Sequence, residues 1–149
     1  MFEVCAKVLL FNEKNQLLIL RRSAWKSPRP QPAYYHAGRA DIPGGAVGDE
    51  VPGEDERTAA VREIAEETGI EVRPSDLKLI YSETRPELDG GAPIKLCYVC
   101  RLNKTQAVKL SYEHDSFCWT DPAAVLDEAG ALAIGRVWRA ALKFYLTQL

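Results

Sequence analysis

Three glutamates, Glu63, Glu66 and Glu67, fall within one helical turn of the run Arg62-Glu63-Ile64-Ala65-Glu66-Glu67-Thr68-Gly69. An α-helix advances about 100° per residue, so side chains three and four apart lie on one side of it. Like charges at those spacings repel by about a few tenths of a kcal/mol per pair. A chain keeps such a cluster either because water screens it or because a cation sits among the carboxylates. The second case describes a site for a hard metal ion, which takes oxygen ligands and is commonly shared with phosphates. Without a cation, mutual repulsion should raise the proton affinity of the three groups. An isolated E-x-x-E-E is usually a solvated helix face, so the weight falls on what surrounds it.

The elements that must hold the cluster read as follows. Residues 3–11 and 16–22 are apolar runs joined by the turn residues Asn12-Glu13-Lys14-Asn15, which predicts a hairpin. Residues 23–40 carry three prolines, Trp25, Tyr34, Tyr35 and His36 without either helical or strand period, and read as a long loop. Asp41 to Gly45 reads as a short strand entering a glycine turn. Asp55 to Thr68 predicts a helix, with Ala60, Val61, Ile64, Ala65 and Thr68 as its apolar stripe, the glutamates more than a quarter turn away, and Gly69 as its stop. Strands are expected over 77–82, 94–102 and 117–119, with a Pro/Gly-rich loop over 85–93. Asp121-Pro122 is an N-cap with a first-turn proline, predicting a short helix over 123–128 and a terminal helix over 131–146 packed through Val137, Ala141, Phe144 and Tyr145. Strands dispersed around helices, with no linker or repeat, imply one α/β layered domain over residues 1–149.

The 149 residues are 46% hydrophobic and 27% charged, ordinary for a globular protein able to bury one sizeable core. A formal charge of −2 argues against nucleic acid or an anionic membrane as the main partner. No apolar run approaches the roughly 20 residues needed to span a bilayer. The start Met1-Phe2-Glu3-Val4-Cys5 lacks a basic leader segment, so a cytoplasmic location is expected. Cys97 and Cys100 form a C-x-x-C, but they lie in an apolar strand, where positions three apart face opposite ways. They are expected to be core residues and not zinc or redox ligands.

From Gly48 to Ile70 the chain reads G-x5-E-x7-R-E-I-A-E-E-T-G-I. This resembles the signature of the Nudix hydrolases at every defined position. The likeness extends to Ile42-Pro43-Gly44-Gly45, to the strand Leu17 to Arg22, and to Glu113-His114 shortly before Trp119. One departure concerns the glycine that opens the motif. In many members it is the second of the Pro-Gly-Gly turn, whereas here Gly45 lies three residues before Gly48, and a three-residue insertion is the favoured explanation.

The resemblance implies an α/β/α sandwich with a mixed central β-sheet. It also implies Mg2+, or Mn2+ in its place, held by Glu63, Glu66 and Glu67 with a backbone carbonyl from Gly44 or Gly45. Glu54 would hold Arg62 in place or add a ligand through water. Glu113 would act as general base or further ligand; His114 and Asp115 are weaker candidates. The reaction implied is attack of water on phosphorus in the diphosphate linkage of a nucleoside diphosphate derivative or a (d)NTP. Arg21, Arg22 and Arg39 are candidates for phosphate contacts, and Tyr34, Tyr35 or Trp25 for stacking on a base. Pro86, 16 residues beyond the motif, is a weak pointer toward ADP-ribose. A small-molecule nucleotide is the expected partner, and a homodimer is compatible with the sequence. The alternative is a non-catalytic nucleotide sensor on the same fold, although such modules normally carry a degraded signature. A decapping activity on RNA would need a basic channel that the charge does not suggest.

Overall fold

β1 (Val4–Phe11) and β2 (Leu17–Arg22) form the expected hairpin. Its turn is held by Asn12, whose Oδ1 accepts from the N–H groups of Lys14 and Gln16. This computed structural model describes residues 3–24, 37–48, 50–84 and 94–149. The two strands meet only where Phe11 faces Leu17, and then they part. β3 (Ala40–Asp41) pairs with β2, β4 (Gly44–Ala46) pairs with β1, and Pro43 accepts from the Val8 N–H. Segment 40–46 is therefore a wedge between the diverging strands. Where the sequence suggested one short strand, two shorter ones straddle Ile42-Pro43.

β5 (Lys78–Thr84), β6 (Ile94–Arg101) and β7 (His114–Thr120) complete a seven-stranded sheet. It is mixed: β6 runs parallel to β1, while β5 and β7 are antiparallel to β6 and β2. α1 (Glu56–Thr68) covers one face and α2 (Arg136–Leu146) the other. Ala60 and Ile64 of α1 pack with Ala6, Val8, Leu10, Leu18, Leu20 and Cys100. Val137, Trp138, Ala141 and Leu142 of α2 pack with Leu9, Phe11, Leu17, Ile19 and Cys97. Both faces of β1 and β2 are thus buried, and each large aliphatic chain so buried contributes about 1.5–3 kcal/mol. The result is the α/β/α sandwich expected.

Several expectations need correction. The terminal helix begins at Arg136, five residues late, because Leu132 and the fully buried Ile134 are drawn into the core from irregular backbone and Gly135 caps the helix. Core packing overrides the good helix propensity of Ala131 and Ala133. The helix expected over 123–128 is a single 3-10 turn, Pro122–Val125, capped by the Asp121 carboxylate. The strand expected at 117–119 starts at His114, and its first residues include exposed polar ones. The candidates Trp25, Tyr34, Tyr35 and Pro86, and the loop over 85–93, lie outside the described residues. Among the described residues, no helix is long and apolar enough to cross a membrane.

The C-x-x-C does what its strand setting implies. Cys97 points to the α2 side and Cys100 to the α1 side. Burial pushes both thiols up, Cys100 to about 11. At pH 7.5 a thiol reagent is expected to modify these two only at the rate of global unfolding, because the thiolate is the reactive form. Rapid labelling of either in the folded protein would contradict this packing.

Candidate active site

α1 is built to aim its acids. The Asp55 carboxylate caps its start by accepting from the Thr58 N–H at 2.8 Å, and Gly69 ends it in a left-handed turn at φ 72°. The last carbonyls of the helix are then taken by a distant segment. Lys109 N–H donates to Thr68 O and Ser111 N–H to Glu67 O. These two bonds bring Glu113 and His114 alongside the acidic turn.

The three glutamates do not share one environment. The buried stripe of α1 is Ala59, Ala60, Ile64, Glu67 and Thr68; Ala65 is exposed. Glu67 thus lies on the core side, contrary to the expectation that all three point away from it, while Glu66 is exposed and Glu63 is intermediate. At about 100° per residue the three fan across about 100° of helix surface, with Glu63 in the middle. On its outer side, Glu63 converges with Glu66 and with Glu50; one oxygen from each lies within 4.8 Å of the others. On its inner side, its carboxyl lies beside that of Glu67. Burial raises the proton affinity of Glu63, and the charges of Glu66 and Glu50 add to it. Burial raises that of Glu67 much further.

Arg62 sits among four carboxylates. Its guanidinium grips Glu54 bidentately, Nη2 to Oε1 at 2.7 Å and Nε to Oε2 at 3.1 Å. Its Nη1 reaches Glu50 at 2.9 Å, Glu66 at 3.2 Å and Glu63 at 3.3 Å. Glu54 also accepts from the Gly48 N–H, and these hydrogen bonds, that from Arg62 foremost, hold its carboxyl below the usual range. Of the two candidate glycines, Gly45 is the one against the acids: a Cβ there would lie 2.9 Å from Glu63 Oε1. Gly44 packs against Ala6 and Lys7 of β1, and a Cβ on Gly48 would meet open space.

Behind Glu67 lies a buried network that the sequence reading missed. The Asp41 carboxylate accepts from Lys7 Nζ at 2.6 Å and from the Ile42 N–H at 2.9 Å through Oδ1. Its Oδ2 meets Arg22 Nε at 3.4 Å and His114 Nε2 at 3.2 Å. Burial alone would raise the Asp41 pKa, but the Lys7 charge, the His114 hydrogen bond and the Arg22 charge hold it far below the usual carboxylate range. A lysine in the apolar run Cys5-Ala6-Lys7-Val8-Leu9 was the available signal, because a buried charge needs a partner. Glu50 carried no comparable signal, since it falls on one of the undefined positions of the motif.

The phosphate candidates divide. Arg22 is engaged with buried Asp41 and serves the network. Arg21 is paired with Asp115 at 2.7 Å on the surface. Arg39 is exposed beside β3. Glu113 is half-buried before β7, and its pKa is raised by burial, moderated by His114 and reinforced by Glu50. It therefore sits within electrostatic reach of the acids.

A NUDIX domain family model matches residues 1–140. The chain belongs to the Nudix family. It is accordingly a hydrolase of phosphoric anhydride bonds. Solved structures agree on the fold. A MutT protein from Methanosarcina mazei Go1 is 26% identical, with 97% of this chain and 94% of that one covered at a TM-score of 0.69. A C. elegans Ap4A hydrolase is 22% identical, with 97% and 96% covered at 0.68. The NUDIX domain of Shewanella oneidensis NrtR, complexed with ADP ribose, is 18% identical, with 97% and 86% covered at 0.67. No curated protein matches the sequence significantly.

Nudix enzymes generally use divalent metals, and the residues here fit one. The convergent donors are all carboxylate oxygens, the ligand type hard cations take. Glu67 Oε2 is buried without a hydrogen-bond partner, the condition of an atom awaiting a cation.

Proposed function

We propose that this Nudix hydrolase cleaves the diphosphate linkage of a nucleoside diphosphate derivative or a (d)NTP in a reaction that depends on Mg2+, with Mn2+ able to replace it. The observation that carries the reading is the α1 turn, where Glu63 gathers Glu50 and Glu66 on one side and Glu67 on the other within the full signature. Bound there beside the substrate, the divalent ion would neutralise charge on phosphate oxygens and lower the pKa of a coordinated water. Glu63, Glu66 and Glu67 would hold it, with Glu50 within reach and a carbonyl of the Gly44-Gly45 turn completing the set.

The remaining roles fall to the chain's own groups. Glu54 locks Arg62, and Arg62 keeps the outer carboxylates from splaying apart. Glu113 is the candidate general base, since burial raises its affinity for the proton leaving the attacking water. Arg39, exposed beside β3, is the candidate left to meet a phosphate. The chain acts as a single domain over residues 1–149.

The test is a panel of nucleotide sugars, ADP-ribose, dinucleoside polyphosphates and (d)NTPs incubated with the protein in 18O-labelled water. Phosphorylated products should appear with Mg2+, vanish with chelator, and carry the label on phosphate. Absence of turnover across the panel with Mg2+ and with Mn2+, alongside tight nucleotide binding, would instead establish a sensor module.

A further inference from the structure

We infer that Ser23, just past the end of β2, is a positioning residue for the reaction: its hydroxyl ties down the Tyr112-Glu113 backbone and so sets Glu113 beside the acidic turn. The inference rests on the proposed role of Glu113 as general base.

The pairing of β2 with β7 is interrupted just before it ends. Arg21 faces Ser116 and Arg22 faces His114, so Asp115 is an extra residue in β7. A bulge of this kind bends its strand and re-aims the side chains beside it. Asp115 is left on the surface with Arg21, and His114 is turned into the interior with Asp41. Beyond the bulge the segment leads back to α1, where the Ser111 N–H donates to Glu67 O at 3.3 Å. Ser23 holds the segment from the opposite side. Its N–H donates to Glu113 O at 2.9 Å, which extends the ladder by one residue. Its Oγ donates to Tyr112 O at 2.6 Å, so the hydroxyl takes over where the backbone ladder runs out. The bonds inside the segment are longer: the Glu113 N–H to Ser111 Oγ and the His114 N–H to Ser111 O are both 3.4 Å. Ser23 is buried although polar, and the half-buried Glu113 that it holds feels the charge of Glu50. A carboxylate that must take a proton from water works only from the right place, and a displacement of about 1 Å can cost about 100-fold in rate. The N–H bond survives any substitution except proline, so the hydroxyl bond is what this side chain adds.

The test is steady-state kinetics of the parent, Ser23→Ala, Glu113→Gln and the double variant on the panel nucleotide that the parent cleaves fastest. Ser23→Ala is expected to lower kcat about 10-fold with KM and the Mg2+ dependence unchanged. Glu113→Gln is expected to lower it about 100-fold, and the double variant should be no slower than Glu113→Gln. A bond that served stability alone would lower the melting temperature and leave kcat at the parent level in the cold. Parent-like kcat in Ser23→Ala beside a slow Glu113→Gln therefore overturns the inference and leaves the role of Glu113 standing. So does a loss confined to KM, and so do losses that multiply in the double variant. Parent-like kcat in Glu113→Gln removes the reading on which the inference rests. Should Ser23→Ala not fold, Ser23→Thr and Ser23→Val take its place, since they match in shape and differ in the hydroxyl. Ser23→Thr should then be about 10-fold faster than Ser23→Val; equal kcat overturns the inference.

Discussion

Glu67→Gln is expected to yield an enzyme that is about 1000-fold slower, equivalent to about 4 kcal/mol of lost transition-state stabilisation, and yet more stable when divalent ions are chelated. The slowing follows from the proposed metal role of Glu67, in which a charged ligand is replaced by a neutral amide at a site where metal charge contributes several kcal/mol. The stabilisation follows from burial. Glu67 is 3% exposed, and its proton affinity is raised above the usual value by desolvation, with Lys7 opposing and Asp41 and Glu63 adding to it. A carboxyl whose folded pKa is raised contributes stability below the unfolded value, about 4.3, and loses that contribution as pH rises through the folded value. Glutamine has no such loss. The variant's advantage should therefore grow across that window, level off above it, and reach about 1–3 kcal/mol near neutrality. Thermal unfolding at several pH values in chelator measures it. Equal stability of parent and variant at every pH would mean that Glu67 is not held in a dry site.

Gly44→Ala is expected to cost more than about 4 kcal/mol, a size seen only where backbone or core is forced apart. Gly44 sits at φ 138°, a region essentially closed to other residues. An added Cβ would also collide with the Ala6 carbonyl and the Lys7 backbone. At about 2–4 °C per kcal/mol for chains of this size, the melting temperature should fall by about 10 °C or more. Gly48→Ala is the control. Its φ of 76° is also left-handed, but a Cβ there meets nothing, so only the backbone cost of about 1 kcal/mol applies. Similar melting temperatures for the two variants would show that the wedge is looser than its packing implies.

The motif made α1 and its glutamates readable because a helix is a local object: Asp55 starts it, Gly69 stops it, and the spacing of Glu63, Glu66 and Glu67 follows from the turn. Even the inward aim of Glu67 was available, since 60° separates it from Ile64 on an ideal helix; the apolar stripe was drawn too far toward Ala65. The alternation of β6 correctly sent Cys97 and Cys100 to opposite faces. What stayed hidden was set by partners far along the chain. Asp41 finds Lys7 across 34 residues and His114 across 73, and no local pattern announces such meetings. The late start of α2 had the same origin, because Ile134 gains more from the core than Ala131 and Ala133 gain from helix. Glu50 entered the site from an undefined position of the motif, in a loop whose path the motif does not dictate.

The bonds from Lys109 and Ser111 to the end of α1 bear on biosynthesis. A ribosome releases the whole signature, Gly48 to Ile70, long before it releases Ser111, so a nascent or truncated product would carry every acidic residue of α1 while lacking Glu113 and His114. Strand β7, which fastens those two residues to β2, recruits a partner almost a hundred positions upstream. With Glu113 in its proposed role, competence to hydrolyse would await docking of the final third of the polypeptide, and fragments of this chain should be harmless to the nucleotides around them.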